Sequence, residues 1–275
     1  MMRITTNDVA VEVAVAGDAS APAVLLLHGW PDTHALWRHQ VGALVEAGYR
    51  TIAPDLRGFG DSDKPEAVDA YGLLDLAADI TGVLDHLAIE RVHVVGHDWG
   101  AALGWALAAF LPDRVASLAA LSVGHPKAFR NAGLAQREKS WYMLLFQFEG
   151  VAEQWLSNDG FANFRQWTGH PDFDEVVSRL SDPAALRASL AIYRANLAPE
   201  WLVSPALEFP PVQCPTLGVW STGDVALTEQ QMVDSATYVT GHWRYDQIDG
   251  SGHWIPLDAP ARLNTLLLDH LAAAT

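Results

Sequence analysis

Cysteine is almost missing from this sequence. Cys214 stands alone among 275 residues, which rules out an intrachain disulfide and fits a reducing compartment. Cations are scarce as well: 17 basic residues face 33 acidic ones, for a formal charge of −16. A surface of that sign repels phosphate backbones and anionic lipid, so neither nucleic-acid nor membrane binding is expected. It does nothing to draw in an anionic substrate either, although a local cationic pocket would override the net charge. Apolar runs such as Val24 to Leu27 fall far short of the roughly 20 residues that a membrane-spanning helix needs. The opening Met-Met-Arg-Ile-Thr-Thr-Asn-Asp has no basic segment leading into an apolar one, so no secretory leader is expected and the cytoplasm is the expected location. No metal-ligand spacing stands out, and His34, His39, His86, His97 and His125 are assigned structural or supporting roles; no metal or cofactor is expected.

What is present has the rhythm of an α/β protein. Alternating Val9-Ala10-Val11-Glu12-Val13-Ala14-Val15 suggests an antiparallel strand. Short apolar runs follow at Ala23 to Leu27, Arg50 to Ala53, Val92 to Val95 and Val115 to Val123. Helix-like stretches separate them at Leu36 to Ala47, Leu74 to Leu87 and Trp99 to Leu111. Strand and helix alternating in this way imply a mostly parallel sheet covered on both faces. From His125 to about Pro211 the pattern turns helical and aromatic, with Trp141, Trp155, Trp167 and Trp201. The strand rhythm returns at Pro215 to Trp220 and at Trp243 to Ile248, and an amphipathic helix closes the chain from Ala259 to Ala272. The expected organisation is a core of residues 1–124 and 211–275, interrupted by a helical cap at 125–210. A cap over the carboxyl ends of the strands would enclose an apolar pocket.

Three segments carry chemistry. Val95-Gly96-His97-Asp98-Trp99-Gly100 has the small-x-nucleophile-x-small layout of a sharp strand-to-helix turn, with aspartate at its centre. The flanking glycines make room for the turn, and the helix N-terminus is expected to keep Asp98 ionised. Leu27-His28-Gly29-Trp30-Pro31-Asp32 ends a strand in a loop; its Trp30 N–H, with the Trp99 N–H, would bind an oxyanion. Whether Trp30-Pro31 is cis is open at this stage. Downstream, Asp224 closes one strand and His253 follows the next within Gly250-Ser251-Gly252-His253-Trp254. Taken singly, Asp98 reads as a helix cap, Asp224 as a turn residue and His253 as another cap. Together they stand in the order nucleophile, orienting acid, base that suits this fold.

A carboxylate nucleophile narrows the reaction. Attack on an ester carbonyl would give an anhydride, whereas attack on saturated carbon gives an ordinary ester that His253 can open with water. Epoxides and alkyl halides both fit.

His28-Gly29-Trp30-Pro31, Gly96-His97-Asp98-Trp99-Gly100 and Gly252-His253-Trp254 resemble the motifs of soluble-type epoxide hydrolases, in the α/β-hydrolase superfamily. The resemblance spans nearly the whole chain. It implies an α/β-hydrolase fold and a pair of cap tyrosines that protonate the epoxide oxygen. Ser140-Trp141-Tyr142-Met143 and Ile192-Tyr193-Arg194 are similar to the stretches that carry that pair, which assigns the role to Tyr142 and Tyr193. Phe148 departs from the family pattern, which has an acidic residue and proline after the position of Gln147. The expected substrate is a small apolar or aromatic epoxide, with water as co-substrate. A haloalkane or haloacid dehalogenase using the same three residues is the enzyme alternative, although Trp30 and Trp99 stand where those families commonly have asparagine or arginine. A hydrolase-fold ligand receptor is the non-enzyme alternative. Oligomeric state is open, a homo-oligomer included.

Overall fold

The computed structural model describes residues 1–203 and 208–274, apart from the side chains of Trp201 and Leu202. Residues 204–207 of the expected insertion, and the Trp201 ring, therefore lie outside the described residues.

The chain builds one eight-stranded sheet from β1 (Met2–Thr6), β2 (Val9–Ala16), β3 (Ala23–Leu27), β4 (Arg50–Pro54), β5 (Val92–His97), β6 (Val115–Leu121), β7 (Thr216–Ser221) and β8 (Trp243–Ile248). The spatial order is β1-β2-β4-β3-β5-β6-β7-β8. Only β1 and β2 run antiparallel to their neighbours; the strands from β4 to β8 are parallel. Six of these strands sit where the four apolar runs and the later strand rhythm placed them, and β2 pairs antiparallel as its alternation implied. β1 was not anticipated. β6 stops at Leu121, two residues short of the expected end, because Ser122 turns to φ +66°.

Helices cover both faces. In chain order they begin with α1 (Arg38–Glu46), α2 (Leu73–His86) and α3 (Trp99–Phe110), and end with α10 (Glu229–Val233), α11 (Ile255–Asp258) and α12 (Pro260–Ala273). Along β3 the side chains divide between two cores: Leu25 and Leu27 join Ile80 and Leu103, while Val24 and Leu26 join Leu44 and Leu267. That division explains why the central strands are uninterrupted apolar runs. Each leucine so buried stabilises the fold by roughly 1.5–3 kcal/mol relative to an exposed one.

Between β6 and β7 the described residues hold α4 (Pro126–Asn131), α5 (Gly133–Lys139), α6 (Trp141–Leu145), α7 (Val151–Thr168), α8 (Phe173–Leu180) and α9 (Pro183–Asn196), and no strand. α7 is broken at Asn158 to Phe161, where three consecutive residues have positive φ. From β3 the chain goes to β4 on one side of the sheet and then crosses to β5 on the other. The loops after β3 and β5 diverge there, and such a crevice is where open α/β sheets bind ligands.

Candidate active site

Asp98 sits on the turn between β5 and α3 at φ +52°, ψ −121°, outside the regions an L-residue normally occupies. The bend closes only because its neighbours lack side chains: a Cβ on Gly100 would overlap the Leu27 carbonyl, and one on Gly96 the Gly100 carbonyl. The backbone carbonyl of Asp98 starts the helix, accepting from the N–H groups of Ala101 and Ala102. Its side chain does not cap α3. Instead Oδ1 accepts from the Trp30 N–H at 2.9 Å, and the carboxylate also accepts from the Trp99 N–H. The two peptide groups expected to form an oxyanion site thus both face this carboxylate. The Trp30-Pro31 peptide is cis.

His253 approaches from the other side, with Nε2 3.7 Å from Asp98 Oδ2. Its Nδ1 lies 2.9 Å from Asp224 Oδ2. Asp224 is fixed in turn by the N–H groups of Ala226 and Leu227, which donate to Oδ1 at 2.8 and 2.9 Å. Three residues spread over 155 positions therefore form one contiguous chain of contacts. Burial alone would push the His253 pKa down, but the flanking carboxylates of Asp224 and Asp98 carry it up to about 9. The Asp224 pKa is lowered despite burial, held down by His253 and the two N–H donors. Burial raises the Asp98 pKa against the pull of His253 and its two N–H donors. The sequence argument weighed the helix terminus alone; desolvation acts against it.

Tyr142 on α6 and Tyr193 on α9 are both buried, with ring centroids 6.0 Å apart at a near-perpendicular angle. Burial raises both phenol pKa values well above normal, and the Asp98 charge adds to the effect. Both phenols therefore keep their protons near neutral pH. Tyr142 and Asp98 share the wall of a cavity of about 250 Å³, and a smaller space of about 20 Å³ touches Asp98, Tyr142, Tyr193 and His253. All seven residues singled out from sequence meet in this one region. Phe148, the departure from the family pattern, is exposed.

Sequence reasoning missed how the inserted helices are tied to the core. The Trp30 ring packs against Phe146, Phe164 and Tyr193, with centroids 5.3 to 6.1 Å away. Its indole N–H donates to Ser189 Oγ at 3.3 Å. Asp32, buried beside it, accepts from the Trp254 indole at 2.9 Å and meets His170 Nε2 at 3.2 Å. His170 lies against Trp254, which is edge-on to His253. His170 comes from the connection between α7 and α8, where only the acidic partner, Asp32, belonged to a visible motif. His28 is structural: Nδ1 meets the Gly29 carbonyl and Nε2 accepts from the Leu56 N–H. His97 packs beneath His253, and Nε2 contacts the His253 carbonyl at 2.9 Å.

A family model described as the alpha/beta hydrolase fold matches residues 22–260. Epoxide hydrolase A of Mycobacterium tuberculosis is 35% identical to this chain, over 98% of the chain and 96% of its own length. The AB hydrolase superfamily protein YfhM of Bacillus subtilis is 33% identical with the same coverage, 98% and 96%. Among solved structures, an epoxide hydrolase of Bacillus megaterium in complex with an inhibitor has a TM-score of 0.88 at 25% identity, covering 98% of this chain and 100% of that one. Epoxide hydrolase A of Mycobacterium thermoresistibile has a TM-score of 0.81 at 29% identity, covering 98% and 97%.

Proposed function

Because this chain belongs to the epoxide hydrolase family of the α/β-hydrolase superfamily, we propose that it converts an epoxide to a vicinal diol through a covalent ester on Asp98. One observation carries the reading: the Asp98 carboxylate has the Trp30 N–H at Oδ1 and the Trp99 N–H beside it, an imidazole facing Oδ2, and a shared cavity wall with a buried tyrosine.

Oδ1 is engaged by Trp30, which leaves Oδ2 to attack. As the Oδ2–carbon bond forms, an epoxide C–O bond breaks, and Tyr142 or Tyr193 gives its proton to the departing oxygen. The product is an ester in which Oδ1 is the carbonyl oxygen, already held by the Trp30 N–H, with the Trp99 N–H at the same carboxyl group. Esterification also removes a negative charge from beside His253. That charge helps hold the imidazole pKa up, so its loss lowers the pKa; the imidazolium gives its proton to the tyrosinate left by ring opening, which restores the phenol and frees Nε2 to act as a base. His253 then takes a proton from water as its oxygen adds to Asp98 Cγ, and the two N–H groups receive the oxyanion. Collapse breaks the Cγ–Oδ2 bond and returns a proton from His253 to the leaving diol oxygen; the water's second proton, left on the Asp98 carboxyl group, passes to His253 and restores the starting pair. Asp224 keeps the ring oriented throughout. Removing one oxyanion donor typically costs 10²–10³ in rate, and removing the base about 10²–10⁴.

In this reading α4 to α9 form a cap over the core, spanning about 125–210, and supply the proton donors. The engagement of the Trp30 indole by Ser189 favours epoxide over halide, because it turns one N–H that could hold halide away from the carboxylate. No helix among the described residues is long and apolar enough to cross a membrane. The purified protein should release diol from a panel of terminal, internal and aryl epoxides and no halide from matched chloroalkanes. Halide without diol would make it a dehalogenase, and tight binding with the epoxide recovered unchanged would make it a receptor.

A further inference from the structure

The space before Asp98 is lopsided. On the His253 side it measures about 20 Å³ and is walled by Trp30, Trp167 and Trp254. About 10–15 Å³ suffices for one water, so this lobe admits the hydrolytic water and no carbon substituent. On the other side of Asp98 and Tyr142 the cavity of about 250 Å³ opens, walled by Leu73, Val123, Phe129, Leu197 and Phe209. An apolar cavity of roughly 150 Å³ takes a benzene, so this lobe accepts a ring or an alkyl chain.

The large lobe is also lined by cations, in a chain that is acidic overall. Lys127 and Arg130, both on α4, line it, and Asp98 is the only carboxylate among its described lining residues. This is an inversion in a chain whose acidic residues outnumber its basic ones 33 to 17. Lys127 is mostly buried and pairs at 2.6 Å with Glu208, whose own side chain is 88% exposed. An ion pair with so exposed an acid is weak in water and yields to a competing anion delivered from within the cavity.

Resting on the epoxide hydrolase reading, we propose that the preferred substrate is a terminal epoxide with a single apolar arm ending in a carboxylate, which Lys127 and Arg130 receive. The epoxide lies between Asp98 and the tyrosines, with its unsubstituted end toward the small lobe and its arm in the large one. Lys127 and Arg130 then act as specificity residues, remote from the reacting atoms.

The test compares kcat/KM for ω-epoxy carboxylates of increasing chain length with their primary amides, beside styrene oxide and a trans-disubstituted epoxide. The best carboxylate should exceed its amide by about tenfold, mostly in KM, and added salt should erode the advantage. The double variant Lys127→Gln/Arg130→Gln should bring the ratio of acid to amide close to one; Lys127→Gln alone should lower it, and serves if the double variant does not fold. Equal rates for acid and amide in the wild type, or a ratio that the variants leave unmoved, would overturn the proposal. So would a trans-disubstituted epoxide that turns over as fast as a terminal one. Diol from styrene oxide alongside such a result would leave the epoxide hydrolase reading standing, whereas no diol from any epoxide would remove that reading first.

Discussion

Asp98 is held in a backbone conformation that only a crowded, glycine-lined bend can impose, and replacing Gly100 tests that directly. Gly100→Ala should lower the thermal midpoint and the activity together, because the new Cβ meets the Leu27 carbonyl, which is fixed in the sheet. An unchanged melting curve would contradict the account of the bend. At the tyrosines, the proposed mechanism predicts that Tyr142→Phe and Tyr193→Phe each slow ester formation by about 10², the low end for a general acid because the other phenol remains, with little change in stability. Rapid-quench measurement of ester formation separates this from any effect on hydrolysis. Asp98 and His253 were legible because each lies in a motif with glycines at fixed offsets. Tyr142 and Tyr193 were not readable from the residues alone; two tyrosines in a helical stretch are ordinary packing residues, and only the family resemblance gave them a role. The raised pKa of Asp98 was illegible for a physical reason: desolvation depends on the completed packing around the turn, which no local window contains.

At the scale of elements, β3 to β7 were readable because both of their faces are largely buried, which makes each a mostly apolar run, whereas β8, Trp-Arg-Tyr-Asp-Gln-Ile at the sheet edge, buries only Ile248. β1 was not readable, since its Met-Arg-Ile-Thr-Thr buries only Ile4 and gains its identity from pairing with β2. The links between the inserted helices and the core are long-range polar contacts of the same illegible kind. Asp32 and His170 are 138 residues apart, and nothing in either segment points to the other. Asp32→Ala would leave a buried indole N–H and a buried imidazole without their acceptor, which typically costs about 1–3 kcal/mol. The thermal midpoint should fall, and kcat should fall with it, because His170 and Trp254 together form the backing of His253. Unaltered stability and kcat would show that the link is ornamental.

Across the whole molecule, the buried imidazoles set how stability responds to pH. His253 is raised from 6.5 to about 9, so the folded state holds its proton more tightly than the unfolded chain does. That contribution is full below pH 6.5 and is lost as pH rises through 9. His97, His125 and His270 go the other way, lowered by burial to about 3, 4 and 4. Their contribution is present above 6.5 and is lost as pH falls toward those values, because the unfolded chain takes up the protons first. Thermal midpoints should therefore be highest near neutrality and decline on both sides, and His253→Gln should flatten the alkaline decline. A midpoint that climbed steadily with pH would contradict these assignments.

The covalent ester on Asp98 is tested most directly by a single turnover in heavy-oxygen water, with enzyme in excess over epoxide. The diol should emerge with unlabelled oxygen, taken from Oδ2, while the label appears in the Asp98 peptide. Diol labelled in that first turnover, with Asp98 unlabelled, would mean that water attacks the epoxide itself and that the carboxylate never bonds to carbon.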